Sequence, residues 1–225
     1  EYIKSFPILP ISTTCPNRWH SSYSVVIEMS TVLLSPPVKS EHDTRQYRAL
    51  RLSNHLDVLL VHDPTTEKAA AAMDVGVGCF CDPDSALGLA HFLEHMLFLG
   101  TKKYPDENSY EAFLRCVLVA LSPVSSSHGG GSNAFTSTKN TNFYFDVGWE
   151  WLEEALDRFS QFFTNPLFTP SATEREMLAV DSEWMKNRQA DDRRLFHFTK
   201  VAARGAHPYS RFSTGNLVTL RYGSG

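Results

Sequence analysis

Residues 87–100 read LGLAHFLEHMLFLG. Leu87, Leu89, Ala90, Phe92, Leu93, Met96, Leu97 and Leu99 leave almost no polar face, and Gly100 stands where a C-terminal stop is expected. The stretch therefore predicts a buried helix. Into that helix the chain inserts His91, Glu94 and His95. Burying three polar groups is costly without partners, so any fold of this chain has to bring a compensating group to this helix. Positions four apart share a helix face, which points the rings of His91 and His95 into one space and offsets Glu94 by a fraction of a turn. Two neutral imidazoles at this spacing suit one Zn²⁺, and a carboxylate that stays off the metal can take a proton from a water bound to it. A core histidine satisfied by its own hydrogen bond would account for one ring. It does not account for the whole H-x-x-E-H pattern.

A chain of 225 residues, 42% of them hydrophobic, can bury a core as one large domain or two small ones. The net charge of −4 and the scattered basic residues argue against a nucleic-acid partner. Cys15, Cys79, Cys81 and Cys116 lack the spacing of a zinc knuckle, and Cys79 and Cys81, two apart on a predicted strand, are expected to share one face of the core. No apolar run is long enough to span a bilayer, and the first residues lack a basic head followed by an apolar stretch. A soluble protein of the cytoplasm is expected, with the mitochondrion as the alternative compartment.

Residues 1–40 are rich in Ser, Thr and Pro without a sustained period, and are expected to be a poorly ordered leader, with Met29 as the native start. YRALRL and LDVLLVHD flank SNH and predict a hairpin, and KAAAAMDVGVGCF predicts a buried strand. Asp106 is placed to cap a helix through Tyr110, Phe113 and Leu114. SNAFTST and TNFYFDV predict two further strands. Leu152, Leu156, Phe159 and Phe163 recur at helical intervals, and Ser171 with Glu174 reads as the capping box of another helix. Strands followed by helices, without a repeated strand–helix–strand unit, predict an α+β fold: a two-layer sandwich of a mostly antiparallel sheet packed with helices.

A catalytic zinc site needs a third protein ligand, which the first helix cannot supply. The candidates are the acids of the two later helices: Glu153, Glu154, Asp157, Glu174, Glu176, Asp181 and Glu183. Helical spacing favours Glu176 and Glu183, seven apart on one face, and does not choose between them.

GLAHFLEHMLFLGTKKYPDENSY, GSNAFTSTKNTNFYFDV, LEEALDRFSQFF and EREMLAVDSEWMKN, together and in this order, resemble the insulysin branch of the pitrilysin-type inverted-motif zinc peptidases, over about residues 40–220. The resemblance implies a single Zn²⁺ per chain held by His91, His95 and Glu183, with Glu94 as the general base and Glu176 as a supporting acid. It places Asn133 and Ala134 on an edge strand where substrate backbone pairs, a mode in which main-chain hydrogen bonds give affinity and leave side-chain preference loose. The implied reaction is hydrolysis of short to medium peptides by metal-activated water. Residues 41–225 would be the N-terminal catalytic domain, lacking the C-terminal half of the family's chamber. RCVLVALSPVSSS, residues 115–127, stands where the family has a much shorter join and is expected to be an atypical insertion. The competing readings are a non-catalytic peptide-binding or regulatory fragment of the same family and a presequence-processing peptidase subunit.

Overall fold

A computed structural model describes residues 31–115 and 129–221. The chain divides into two compact units, Glu1–Lys68 and Ala69–Gly225. In the first, β1 (Thr31–Leu34), β2 (Gln46–Leu52) and β3 (Asp57–His62) form one antiparallel sheet in that order. The predicted hairpin is β2–β3. Its turn uses His55 at φ 66°, and Asn54 Oδ1 accepts the Leu56 N–H. Strand β1 arises within the stretch expected to be a leader, where Leu33 pairs with Leu50 and Leu34 with Ala49. Four residues are too few to show a period, and a backbone ladder needs none. Residues 1–30, which include Met29, and residues 116–128, which hold nearly all of the expected insertion, lie outside the described residues.

The second unit carries the sheet β4 (Lys68–Val75), β6 (Thr141–Gly148) and β5 (Gly131–Thr136), in that spatial order, so that β5 is an outer strand. Alternation along β6 buries Thr141, Phe143, Phe145 and Val147 on one face. Against that face pack α2 (Ser109–Arg115), through Tyr110 and Leu114, and α3 (Leu152–Thr164), through Ala155, Phe159 and Phe162. Leu97, just past the end of α1 (Leu89–Met96), joins the same cluster. The rings meet edge to face, with Tyr110 and Phe162 centroids at 4.8 Å and Phe145 and Phe159 at 5.1 Å. Each such ring taken out of water contributes about 1.5–3 kcal/mol, and the edge contacts add to that. The α+β class expected from the sequence holds, with the strands in two three-stranded sheets rather than one.

Several local expectations change. The predicted strand through CF ends at Val75, and Cys79–Cys81 form a turn of 3₁₀ helix, where Cys79 is buried and Cys81 exposed. They share no face, because the chain there crosses the β5–β6 turn: the Cys79 and Phe80 N–H groups donate to the Ser137 and Thr138 carbonyls. Strand β4 itself alternates between exposed and half-buried positions rather than being buried throughout. Asp106 Oδ1 accepts the Asn108 N–H directly before α2, close to its expected role. The cap of α4 (Pro170–Asn187) is Thr169, whose hydroxyl oxygen accepts the Ala172 N–H, and not Ser171 with Glu174. Pro170 causes the shift, since it lacks an N–H and its ring presets the helical φ, making it the first helical residue. The buried centre of α3 is Ala155, Phe159 and Phe162, with Leu152, Leu156 and Phe163 half-buried beside it. Two helices, α5 (Asp191–Val201) and α6 (Leu217–Arg221), had no predicted counterpart. Every residue of α5 except Lys200 is exposed, so the helix has no buried stripe to announce it.

Candidate metal centre

Helix α1 is held at both ends by features its own sequence does not contain. Its N-cap is Gly88 at φ 91°, where a Cβ would lie 2.2 Å from the Gly215 backbone. Only glycine combines that conformation with that approach. The first amides of the helix are satisfied from a distance. Asp82, buried just past the preceding 3₁₀ segment, accepts the Gly88 N–H at 2.8 Å and the Ala90 N–H at 2.9 Å. Its negative charge suits a helix N-terminus. Burial pushes the Asp82 carboxyl up from the usual range, against the opposing effect of those two amide bonds. At the other end the helix stops at Met96, with Leu97 as its C-cap, before the expected stop at Gly100, which takes φ 89° and whose carbonyl accepts the Leu167 N–H. The helix is not buried all round: Leu89 and Leu93, four apart, are each 42% exposed.

The expected side-by-side placement of His91 and His95 is present, with ring centroids 4.7 Å apart and Nε2 atoms 3.2 Å apart. Each ring is oriented by its other nitrogen. His91 Nδ1 donates to the Thr214 carbonyl at 2.6 Å, and His95 Nδ1 donates to Glu176 Oε1 at 2.7 Å. Carbonyl and carboxylate oxygens only accept, so a proton sits on each Nδ1, and Nε2 is the nitrogen each ring turns toward the other. Burial disfavours the His95 cation, and the carboxylates of Glu176, Glu94 and Glu183 outweigh that, leaving its pKa raised.

Helix α4 answers the choice between the two acids that spacing left open. Glu183 Oε2 lies 3.5 Å from His91 Nε2 and 3.7 Å from His95 Nε2, whereas Glu176 reaches only the far side of the His95 ring. Asn187 Nδ2 donates to Glu183 Oε1, which leaves Oε2 on the histidine side. Among the described residues, His91, His95 and Glu183 form a cluster able to hold a metal ion, their ligand atoms all within 4.8 Å of one another. Three ligands about 2.0–2.2 Å from a tetrahedral ion stand about 3.3–3.6 Å from each other, and the observed 3.2, 3.5 and 3.7 Å bracket that range closely. Of the other candidate acids, Asp157 pairs with Lys103 and Tyr104, Glu154 with Arg158, and Asp181 accepts the Leu217 N–H.

Glu94 is buried beside this cluster, and the Thr136 hydroxyl donates to its Oε2 at 2.5 Å. On β5, Asn133 Oδ1 accepts the N–H of Ala134, and the two residues stand opposite Tyr144 and Phe143 of β6. Sequence reasoning missed Asp82, Thr136, Asn187 and Thr214. Nothing in a spacing pattern marks a backbone carbonyl such as that of Thr214. The segment carrying it is anchored by Lys200, which donates to Ser213 Oγ and the Arg211 carbonyl, and by Arg211, which reaches Asp84 and the Phe80 carbonyl.

Among the described residues no helix is long and apolar enough to cross a membrane. Residues 57–212 match the family model described as Insulinase (Peptidase family M16). The insulin-degrading enzyme of Bos taurus is 54% identical over 183 residues, covering 81% of this chain and 17% of that enzyme. The A-factor-processing enzyme of Saccharomyces cerevisiae is 44% identical over 209 residues, 92% of this chain and 19% of its own length. A crystal structure of pitrilysin superposes with a TM-score of 0.75 at 38% identity, over 84% of this chain and 19% of that one. The chain thus spans less than one fifth of the length of these relatives. With a family match over most of its length and an inverted H-x-x-E-H helix facing an acid-bearing second helix, the chain belongs to the insulinase family of peptidases, peptidase family M16.

Proposed function

We propose that this chain is the N-terminal catalytic domain of a zinc-dependent endopeptidase acting on short to medium peptides. One observation carries the reading: the two Nε2 atoms face each other at 3.2 Å with a carboxylate oxygen at 3.5 and 3.7 Å. Two ring nitrogens and a carboxylate oxygen converging this closely suit a positive charge held among them. His91, His95 and Glu183 would hold the ion, a single Zn²⁺ per chain. When bound, zinc polarises a scissile carbonyl and lowers the pKa of its water into the neutral range.

The remaining steps fall to the protein's own groups. Glu94 takes the proton released by the attacking water and passes it to the leaving amine. Glu176 and the Thr214 carbonyl keep both rings in the Nδ1–H tautomer, so that Nε2 is always the ligating atom. Asn133 and Ala134, on the outer strand β5, offer main-chain groups to an extended peptide. Replacing Glu176 by Ala is expected to weaken zinc binding by about 10–100-fold, since ligand-orienting partners are worth that much. Competition with a chromophoric chelator measures it, and unchanged affinity would reduce Glu176 to a helix-surface acid.

The reading is tested by loading the chain with zinc and assaying a quenched-fluorescence peptide, alone and with the C-terminal half of an insulinase-family relative added in trans. Weak, chelator-sensitive cleavage alone and about tenfold or greater enhancement by the added half is expected, since positioning of substrate accounts for much of a rate. Cleavage at full rate without the added half would remove the two-half chamber from the proposal. Peptide binding without cleavage in either case would favour a non-catalytic peptide-binding module.

A further inference from the structure

Glu94 sits on α1 with its side chain buried, and a buried carboxylate needs a donor. That donor comes from 42 positions away: Thr136, the last residue of β5, whose Oγ1 is 2.5 Å from Glu94 Oε2. The direction of its single proton follows from its partner, since a carboxylate only accepts, and its strand neighbour agrees. Thr141 stands opposite Thr136 in the β5–β6 register, with Oγ1 atoms 3.4 Å apart, and donates its own hydroxyl proton to the Val77 carbonyl at 2.8 Å. The Thr141 hydroxyl thus points its proton at the Val77 carbonyl and, over the longer path, at Thr136 Oγ1, which accepts there and keeps its own proton for Glu94. A hydroxyl donating to a carboxylate is a charge-assisted bond, stronger than one between two neutral groups.

We infer that Thr136 is a positioning residue for the Glu94 carboxylate, fixing its orientation and tying it to the outer strand β5. With Oε2 engaged, Oε1 is the oxygen that receives the proton. Ala134 and Thr136 lie two apart on the strand, on one face of the sheet, so the residues that offer backbone to a peptide and the residue that aims the base belong to one rigid element. Occupation of β5 and alignment of Glu94 are thereby coupled. The inference rests on the reading of Glu94 as the general base.

Thr136→Val keeps the shape of the side chain and removes its proton, whereas Thr136→Ser keeps the proton. Relaxation of a ¹³C-labelled Glu94 side chain in the zinc-loaded chain reads positioning without requiring turnover. Glu94 is expected to be rigid in the parent and in Thr136→Ser, and mobile in Thr136→Val. Thr136→Ala carries the same expectation and serves if the valine variant unfolds. In the peptide assay with the complementing half, Thr136→Val should lower kcat by about 10–100-fold at unchanged KM and zinc content, with Thr136→Ser restoring it. A purely structural threonine would lower the melting temperature of both variants alike and leave Glu94 rigid. A rigid Glu94 in Thr136→Val, or parental kcat in that variant, overturns the inference. A parent that does not cleave peptide overturns the peptidase reading instead, and the relaxation measurement still decides the role of Thr136.

Discussion

The His95→Ala chain is expected to emerge from dialysis against a mild chelator without zinc, while the parent retains it. His95 is the residue on which most of the centre converges. Its Nε2 is one of the three proposed ligating atoms, and its Nδ1 is the contact through which Glu176 bears on the site. Removing the ring leaves His91 and Glu183, a two-ligand site that does not hold zinc stably in water. It also strands the Glu176 carboxylate, which is largely buried, opposite a cavity. Zinc binding stabilises the folded state in proportion to its affinity, so the variant should melt where the chelator-treated parent melts and gain nothing from added zinc. Metal analysis and a thermal melt check both. Stoichiometric zinc in His95→Ala would remove His95 from the ligand set.

Glu94→Gln should fail in a different way: zinc retained, melting temperature close to the parent's, and turnover lower by about 10²–10⁴-fold, the range for loss of a general acid–base group. The amide has the volume of the carboxylate, and its oxygen can still accept the Thr136 proton that now reaches Glu94 Oε2. What it cannot do is take a proton. KM for a peptide should stay near the parental value, since the change is felt in the transition state and not in the ground state. Full turnover in this variant would exclude Glu94 as the base, and loss of zinc would mean that its role is structural.

Much of this centre is local, and local features are legible in the chain itself. The H-x-x-E-H spacing sets His91 and His95 on one face because an α-helix repeats every 3.6 residues whatever surrounds it. The β5–β6 hairpin follows from SNAFTST and TNFYFDV for equally local reasons. Two local signals were overridden by a neighbour in space: the crossing of the β5–β6 turn bends Cys79–Cys81 into 3₁₀ helix, and β1 owes its conformation to pairing with β2.

The division of labour among the acids was not available from spacing. Glu176 and Glu183 are equivalent on a helical wheel, and only the crossing of α4 over α1 puts one against Nδ1 and the other between the two Nε2 atoms. Asp82, Thr136 and the Thr214 carbonyl come from a turn, a strand end and a loop far along the chain, each satisfying a polar group that α1 could not satisfy for itself. The sequence by itself determined that α1 would carry two imidazoles and a carboxylate, because side-chain direction on a helix is set by backbone geometry. Tertiary structure decided which protons those groups hold and which of them face one another, because hydrogen-bond partners are chosen by proximity in space, and proximity between distant segments is set by packing.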